Sequence, residues 1–333
     1  GVSVLAISKY PHDWASYPMI KQVYDDIIDN NTLLVDTTWT QDPAEVQDNI
    51  ERWLNNDHHT VVIMNWWDDF GGYKDYVEKY KNNDRVLVLD YQASWFNICD
   101  KKFIKYTWEQ VQPNSFEHLF LCYQGKWKHN RDAMYSMLTE WNNEQNQKGI
   151  VTLQGKNSLI DSIPQHEGDA SIDNNPDVHD QNYYPNDIYS LGDIDTWNKH
   201  FLNIVTETLA EPSGLTWITE KTIKPIIGSR PFVLYGDEKI YDLLRSFGLE
   251  TFEQELNFPK PVVADKSIPY WHWQNRAIRT GLKGLRDADL NELYQKCLPK
   301  LEHNFHTWRK VAKDQYSSMI DKVSEFKSRS HTS

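Results

Sequence analysis

Short apolar runs that alternate with helical segments restrict the fold of this chain more than any other feature of its sequence. Five runs in the first half have the length and the β-branched or aromatic content of buried strands. Strands and helices that alternate at this spacing predict βαβ units, and therefore a parallel sheet. The predicted strands are residues 2–8, 32–35, 60–64, 86–90 and 118–123, and the predicted helices are residues 19–28, 43–54, 73–81 and 130 to about 141.

A second series of strands and helices follows a polar, broken segment at residues 155–184, which predicts a long loop or a partly ordered insertion. Residues 259–270 are expected to be irregular, and residues 285 to about 327 to be helical, with Asp287 and Asp289 as start signals. The second series itself consists of a strand at 202–208, a helix at 220–227, a strand at 231–235 and a helix at 239–247 that Gly248 ends.

Length and composition indicate a globular protein of two domains. The 333 residues suit two domains of about 150 residues each, and the hydrophobic and charged fractions of 39% and 25% are ordinary. No apolar run approaches the ~20 residues of a membrane span, and no signal peptide is recognisable. Three widely separated cysteines favour a reducing cytoplasm.

Charge and aromatic content narrow the classes of ligand. The net charge of -13 argues against a protein that coats duplex nucleic acid, because neutralising phosphates requires clustered Lys and Arg. The 14 tryptophans and 18 tyrosines include the kind of side chains that a sugar- or base-stacking cleft needs.

The stretch from residue 217 to 236 has the strongest local signals in the chain. Thr219 is a good N-cap for a short helix at 220–227, and Gly228 is placed to end that helix. Pro225 lies inside the helix and is expected to kink or shorten it. A strand-like run stands on each side, so the stretch predicts a strand–helix–strand unit.

Charged side chains lie at the strand end and first turns of this unit. Glu207, Glu220, Lys221 and Lys224 occupy the places where open α/β sheets bind phosphorylated ligands, because the helix dipole and free N–H groups favour anions there. Lysines add charge against phosphate, and a glutamate can hold ribose hydroxyls. The alternative is that Glu220 and Lys224 form an ordinary i,i+4 pair on a solvated helix face.

These motifs resemble the donor-binding region of the α-1,3-fucosyltransferases and of related GT-B glycosyltransferases of bacteria and phages. Trp217 stands where the family has tyrosine, and Thr208 where the fucosyltransferases have asparagine. The matching segments are 205–208 (VTET), 217–221 (WITEK), Gly228, 231–236 (PFVLYG) and, upstream, 131–138 (RDAMYSML).

The resemblance implies roles for particular residues. Arg131 and Lys221 would bind the nucleotide diphosphate, and Glu220 would bind the ribose. The whole expected donor-binding set is Arg131, Lys126, Glu207, Thr208, Trp217, Thr219, Glu220, Lys221 and Lys224.

The resemblance also implies a fold, an α/β protein with two Rossmann-like domains in the GT-B manner and C-terminal helices. An N-terminal α/β domain on the acceptor side would span residues 1–150, and a polar insertion or linker residues 151–195. The nucleotide-sugar domain would span residues 196–300, and a helix at 301–333 would pack back on the N-terminal domain.

Acidic and aromatic residues follow the third predicted strand. Carboxylates at a strand end face a cleft, so Asp69 or Asp68 is a candidate base for an acceptor hydroxyl, and Trp66 and Trp67 are candidates to stack on the acceptor. The alternative is a polar turn in which Asp69 caps the next helix. His12 and Asp13 occupy the equivalent position after the first strand. His12 is a further candidate for acceptor contact, and Asp13 is the second choice for the base.

Metal chemistry has weaker support. Asp193 and Asp195 form a DxD, which holds Mn²⁺ in metal-dependent transferases, but they precede a helix start, and capping is the favoured interpretation. The pairs His58–His59 and His166–Glu167 lack the spacing of a complete metal site. No P-loop, GxGxxG or GxSxG motif is present, so kinase, dinucleotide-oxidoreductase and serine-hydrolase functions have no motif support.

The functional hypothesis is a metal-independent hexosyl- or pentosyltransferase without a cofactor. A nucleotide-diphosphate sugar would be the co-substrate, and a glycan or a hydroxymethylated base in viral DNA would supply the acceptor hydroxyl. The alternative is a non-catalytic module of the same fold that binds nucleotide or sugar. The sequence does not indicate which oligomeric state the protein adopts.

Overall fold

The computed structural model describes residues 4–6, 27, 31–36, 43–65, 78–124, 128–145, 149–153, 191–207 and 218–330. The chain divides into two compact units. Unit 1 contains the described residues up to Lys101 and those from Val311 onward, and unit 2 contains the described residues from Lys102 to Lys310. The domain limits expected from the sequence stay predictions.

Four parallel strands form the sheet of unit 1, in the order β1-β2-β3-β4. Spatial order follows chain order, so each connection crosses over to the adjacent strand. Three of the strands predicted in this part are confirmed in full, and the first is confirmed over the residues that the structure describes. The strands are β1 (Val4–Ala6), β2 (Thr32–Asp36), β3 (Thr60–Asn65) and β4 (Val86–Asp90).

Two helices are described around this sheet, α1 (Pro43–Leu54) and α2 (Tyr91–Phe103). Helix α1 has the predicted bounds and packs Ile50 against Val35 and Ile63 of the sheet. Helix α2 was not predicted, because it follows β4 directly with no turn or cap signal between them. The helices expected at 19–28 and 73–81 lie mostly outside the described residues.

Four parallel strands also form the sheet of unit 2, in the order β6-β5-β7-β8. Every residue of β7 is buried, which explains the nearly continuous apolar run in its sequence. The strands are β5 (His118–Cys122), β6 (Gly149–Val151), β7 (His200–Thr206) and β8 (Phe232–Tyr235). Strand β6 was not predicted, since three residues are too few to show a pattern.

The two crossovers of unit 2 run in opposite directions along the sheet. From β5 the chain passes through α3 (His129–Glu144) to β6, and from β7 it passes through α5 (Glu220–Ile227) to β8 on the other side. Crossovers are right-handed, so opposite directions place α3 and α5 on opposite faces of the sheet. A short helix, α4 (Ile194–Trp197), precedes β7.

Four further helices complete the described part of the chain. Helix α8 begins where an irregular segment was expected to end, and it packs against α3, with Arg279 bonded to Glu140 and Glu144. The cap predicted for the last helix is confirmed, since Asp289 Oδ1 accepts from the next backbone N–H groups. The helices are α6 (Lys239–Ser246), α7 (Glu253–Leu256), α8 (Tyr270–Leu285) and α9 (Leu290–Ser330).

Helices therefore follow the sheets toward the C-terminus, as the sequence predicts. Among the helices of the described residues, none is both long and apolar enough to cross a membrane. The long polar segment expected at 155–184 lies outside the described residues.

A buried arginine joins three segments of unit 2. The Arg230 guanidinium donates to the carbonyl oxygens of Val111 (2.8 Å), Ser229 (2.8 Å) and Trp197 (3.0 Å), and to Asn198 Oδ1 (3.1 Å). Burial lowers the pKa of Arg230 to about 10, so the side chain stays charged at neutral pH. Carbonyl dipoles stabilise this cation, and removing it leaves several buried acceptors unpaired.

A close approach at Gly228 holds the end of α5. Gly228 ends the helix as predicted, its carbonyl accepts from Trp197 Nε1 at 2.8 Å, and a side chain at this position would lie 2.3 Å from the Trp197 ring. The helix reaches Ile227 with Pro225 inside it, so the proline does not shorten it.

The second titratable group in this region is His200 on β7. Its pKa lies well below the usual 6.5, because burial disfavours the charged ring and the Arg230 charge repels it. Backbone groups of Thr196 and Trp197 counteract this only in part. His200 is therefore neutral in the folded protein.

Acidification below pH 6.5 is expected to destabilise unit 2 through His200. The unfolded chain takes up a proton that the folded chain excludes, so the free energy of unfolding falls by up to about 1.4 kcal/mol per pH unit below that value, with no effect above it. Denaturant unfolding between about pH 7.5 and 5.5 measures this slope. His200→Gln should lose the extra slope and His272→Gln, at an exposed site, should keep it; equal slopes in wild type and His200→Gln contradict the prediction.

Candidate functional site

The carboxyl ends of β5 and β7 form a topological switch point in unit 2. The chain leaves these adjacent strands toward opposite faces of the sheet. Open α/β sheets bind ligands outside the carboxyl ends of the strands at such a point. The first turn of α3 lies on one side and the first turn of α5 on the other.

A buried carboxylate anchors the N-terminus of α5. Glu207 directly follows β7, and its oxygens accept from Thr219 Oγ1 (2.6 Å), Thr219 N (3.3 Å) and Thr222 Oγ1 (2.5 Å). Thr219 also caps the helix, as predicted, because its hydroxyl accepts from Lys221 N at 3.3 Å. Glu207 thus fixes the direction in which the first turn of α5 projects.

Two of the three charged residues of α5 are buried. Glu220 and Lys224 are 6% and 7% exposed, so the alternative of a solvated i,i+4 pair is wrong. Glu220 instead pairs with its neighbour Lys221, with Nζ and Oε1 2.5 Å apart. Burial alone would raise the pKa of Glu220, but the charges of Lys221 and Lys224 and the Lys221 hydrogen bond outweigh it and lower the pKa. Glu220 is therefore an anion at neutral pH.

Arg131 lies across the switch point from α5. It is buried in the first turn of α3, and its charge acts on Cys122, the last residue of β5. Burial raises the pKa of the Cys122 thiol and the Arg131 charge opposes that rise, which places the guanidinium near the carboxyl end of β5. Arg131 and Lys221 therefore belong to the two helix ends that flank the switch point.

The structure brings together part of the predicted site. Glu207, Thr219, Glu220, Lys221 and Lys224 form one cluster at the start of α5, and Arg131 lies at the same edge of the sheet. The remaining predicted residues lie outside the described residues; they are Lys126, Thr208, Trp217, Asp69, Asp68, Asp13, Trp66, Trp67 and His12.

Four residues at this edge were missed by the sequence analysis. Gln124, Thr206, Asp237 and Gln274 are buried, and each has a side-chain atom with no hydrogen-bond partner in the described part of the chain. A weak signal existed for three of them. Gln124 directly follows a predicted strand, Thr206 lies inside the family-like segment 205–208, and Asp237 follows the Gly236 that ends the family-like motif.

The DxD motif has the capping role that the sequence favoured. Asp193 Oδ2 accepts from Thr196 N (3.0 Å) and Thr196 Oγ1 (2.5 Å), at the start of α4. His59 stacks on Trp53 with ring centroids 4.1 Å apart, which is a packing contact. Within the described residues no three His, Cys, Asp or Glu side chains are grouped for a metal ion.

Comparison of the chain with models of known protein families gave no match, and no significant match was found among curated proteins or solved structures. The resemblance to glycosyltransferases therefore stays a prediction from the motifs. The switch point and the residues around it are the structural basis for inferring a function.

Replacement of Glu207 by Gln is expected to lower the free energy of unfolding by about 1.5–3 kcal/mol, since the buried hydroxyls of Thr219 and Thr222 lose a charged acceptor. Chemical denaturation measures the loss, and a double-mutant cycle with Thr222→Val separates the hydroxyl bond from other effects. The exposed substitution Glu302→Gln is the control. A loss below about 0.5 kcal/mol in Glu207→Gln contradicts an anchoring role.

Proposed function

We propose that this protein is a glycosyltransferase that binds a nucleotide-diphosphate sugar at the carboxyl edge of the unit 2 sheet and transfers the sugar to an acceptor hydroxyl. One observation carries the proposal. A topological switch point is flanked by two helix N-termini whose first turns hold Arg131 on one side and Glu220 and Lys221 on the other. The motif resemblance assigns the same residues to the donor.

The two helix ends suit a diphosphate. The positive end of the helix dipole favours anions at both ends, and each first turn adds a basic side chain. Arg131 offers a planar, permanently charged fork, and Lys221 a mobile ammonium that is 24% exposed at its side chain. Glu220, held ionised beside Lys221, has the acceptor that a ribose hydroxyl needs.

The reaction that fits this arrangement breaks the bond between the anomeric carbon and the diphosphate oxygen. The departing diphosphate gains negative charge, which Arg131 and Lys221 stabilise in the transition state. The acceptor oxygen forms the new bond, and a base takes its proton. Asp69 is the proposed base, with Asp68 and Asp13 as the next candidates. These three assignments rest on the sequence.

The proposed acceptor is a hydroxyl of a glycan or of a hydroxymethylated base in viral DNA. A non-catalytic binding module with the same donor site is the alternative. Hydrolysis of the donor in the absence of acceptor separates them, because a transferase activates the anomeric carbon and a binding module does not.

Arg131→Ala and Lys221→Ala are each expected to weaken binding of a nucleoside diphosphate by about 10- to 150-fold, since each removes a charge-assisted hydrogen bond of about 1.5–3 kcal/mol. A thermal-shift screen of UDP, GDP and dTDP identifies the nucleotide, and calorimetry measures the affinities. Lys283→Ala, at an exposed site on α8, is the control. Wild-type affinity in both site variants contradicts the proposal. The proposal also states that no metal is needed. It is contradicted on this point if EDTA abolishes binding or transfer and added metal restores it.

Asp69→Asn is expected to lower kcat by about 10²–10⁴-fold with little change in donor affinity, because general-base catalysis contributes about that much. Steady-state kinetics with the identified donor measure the effect. The capping alternative predicts full activity, since Asn caps a helix nearly as well as Asp. An active Asp69→Asn enzyme moves the assignment to Asp68 or Asp13.

A further inference from the structure

Four buried side chains at the switch point keep polar atoms that no described residue satisfies. The atoms are Gln124 Nε2 and Oε1, Thr206 Oγ1, Asp237 Oδ2 and Gln274 Oε1, and the four residues are at most 4% exposed. Native proteins pair nearly all such atoms, so a group of them at one edge of a sheet requires a specific explanation.

These side chains converge on the α3 side of the sheet. Phe120 of β5 packs on Trp141 of α3. Gln124 is four residues further along, two beyond the end of β5, and its N–H donates to Thr152 Oγ1 at 3.2 Å beside β6, so continued alternation of side chains puts it on the side of Phe120. Tyr235 Oη donates to the Asn130 carbonyl of α3 at 3.2 Å. Because Thr206 is the register partner of Tyr235, its side chain lies on the same face of the sheet.

Two more contacts bring the remaining members to the same edge. Gln274 Nε2 donates to the Gly236 carbonyl at 2.5 Å, so α8 lies over the end of β8. Asp237 is the next residue, and its Oδ1 is already bonded to Lys239 N at 3.0 Å, which leaves Oδ2 for another partner. Gln124 and Asp237 follow strands that are two positions apart in the sheet, a span of about 10 Å.

The chemistry of the four groups selects the kind of partner. Gln124, Asp237 and Gln274 each present an acceptor, whereas the donors are the Gln124 amide and the Thr206 hydroxyl. A phosphate offers acceptors and negative charge, so it does not satisfy three acceptors of which one is a carboxylate oxygen. Sugar hydroxyls both donate and accept, and a hexose with its hydroxyls fits the ~10 Å span.

We propose that Gln124, Thr206, Asp237 and Gln274 form a pocket for the hydroxyl groups of a neutral sugar, and that Asp237 selects against sugars that carry a carboxylate. The inference rests on the proposed function, because the sugar is that of the nucleotide bound by Arg131 and Lys221. It adds the donor class, a neutral polyhydroxylated hexose or pentose. The pocket lies on the α3 side of the sheet, the side on which Arg131 begins its helix.

Calorimetry with matched pairs of ligands tests the pocket. The probes with a neutral sugar, called neutral probes, are UDP-glucose, UDP-galactose, GDP-mannose, GDP-fucose and dTDP-glucose. The probes with an acidic sugar are UDP-glucuronate and GDP-mannuronate. The reference nucleotides without a sugar are UDP, GDP and dTDP. Gln124→Leu and Asp237→Asn should each weaken the best neutral probe by about 3- to 10-fold, the effect of one neutral hydrogen bond, and change its reference nucleotide less than about twofold. Asp289→Asn, an exposed cap that faces no site, is the control.

Selectivity and stability give independent readouts. Wild type should bind the neutral probe more tightly than its uronate counterpart, and Asp237→Asn should narrow that gap. Gln124→Leu should raise the Tm of the ligand-free protein, because it removes a buried amide without partners. Three results would overturn the pocket. They are an equal loss of affinity for the neutral probe and its reference nucleotide, no loss of affinity for the probe, and a lower Tm in Gln124→Leu.

Failure of the proposed function gives a different result. If no nucleotide and no nucleotide sugar binds, the function fails, and free glucose, galactose, mannose and fucose at about 50-fold molar excess or more are then tested by thermal shift. The pocket is supported if a sugar raises the Tm of the wild type but not that of Gln124→Leu. No rise with any of these sugars overturns the pocket as well.

Discussion

The opposite direction of the two crossovers in unit 2 is the constraint on which its candidate site depends. Because β5 leads to β6 and the adjacent β7 leads to β8, the helices after them lie on opposite faces and their N-termini diverge. Two crossovers in one direction would place both helices on one face and close the edge. The reversal therefore creates the switch point and places two positive helix ends beside it, before any side chain contributes.

The helix that carries Glu220, Lys221 and Lys224 is fixed at both ends. Isolated helices of eight residues are unstable in water, and α5 also contains Pro225. Glu207 holds its first turn through Thr219 and Thr222, and the Arg230 carbonyl cluster, with Trp197 on Gly228, holds its last. These tertiary contacts, rather than helix propensity, set where Glu220 and Lys221 point. A polar network of this kind positions charged groups more rigidly than a surface helix does.

Local signals made the β7-α5-β8 unit predictable, whereas other elements depend on contacts between residues distant in sequence. The Thr219 cap, the Gly228 stop and the apolar strands are all readable within a few residues, and the structure has them. Strand β6 and helix α8 depend on partners distant in sequence, β5 for one and α3 for the other. The positions of Gln124 and Gln274 at this edge depend on register and helix packing, and the sequence shows only that Gln124 follows a predicted strand. The base candidates Asp68 and Asp69 stay predictions.

Two buried arginines show why residue type alone does not assign a role. Arg230 donates to carbonyl and amide oxygens of unit 2 from several directions, so the fold itself satisfies its charge. Arg131 is placed in the first turn of a helix, where the dipole disfavours a cation, and Lys221 is placed in the same way on α5. Asp132 and Glu220 offset part of that conflict. Local conflicts of this kind are expected at functional sites, and the anion that we propose to bind between the two helix ends would reduce both.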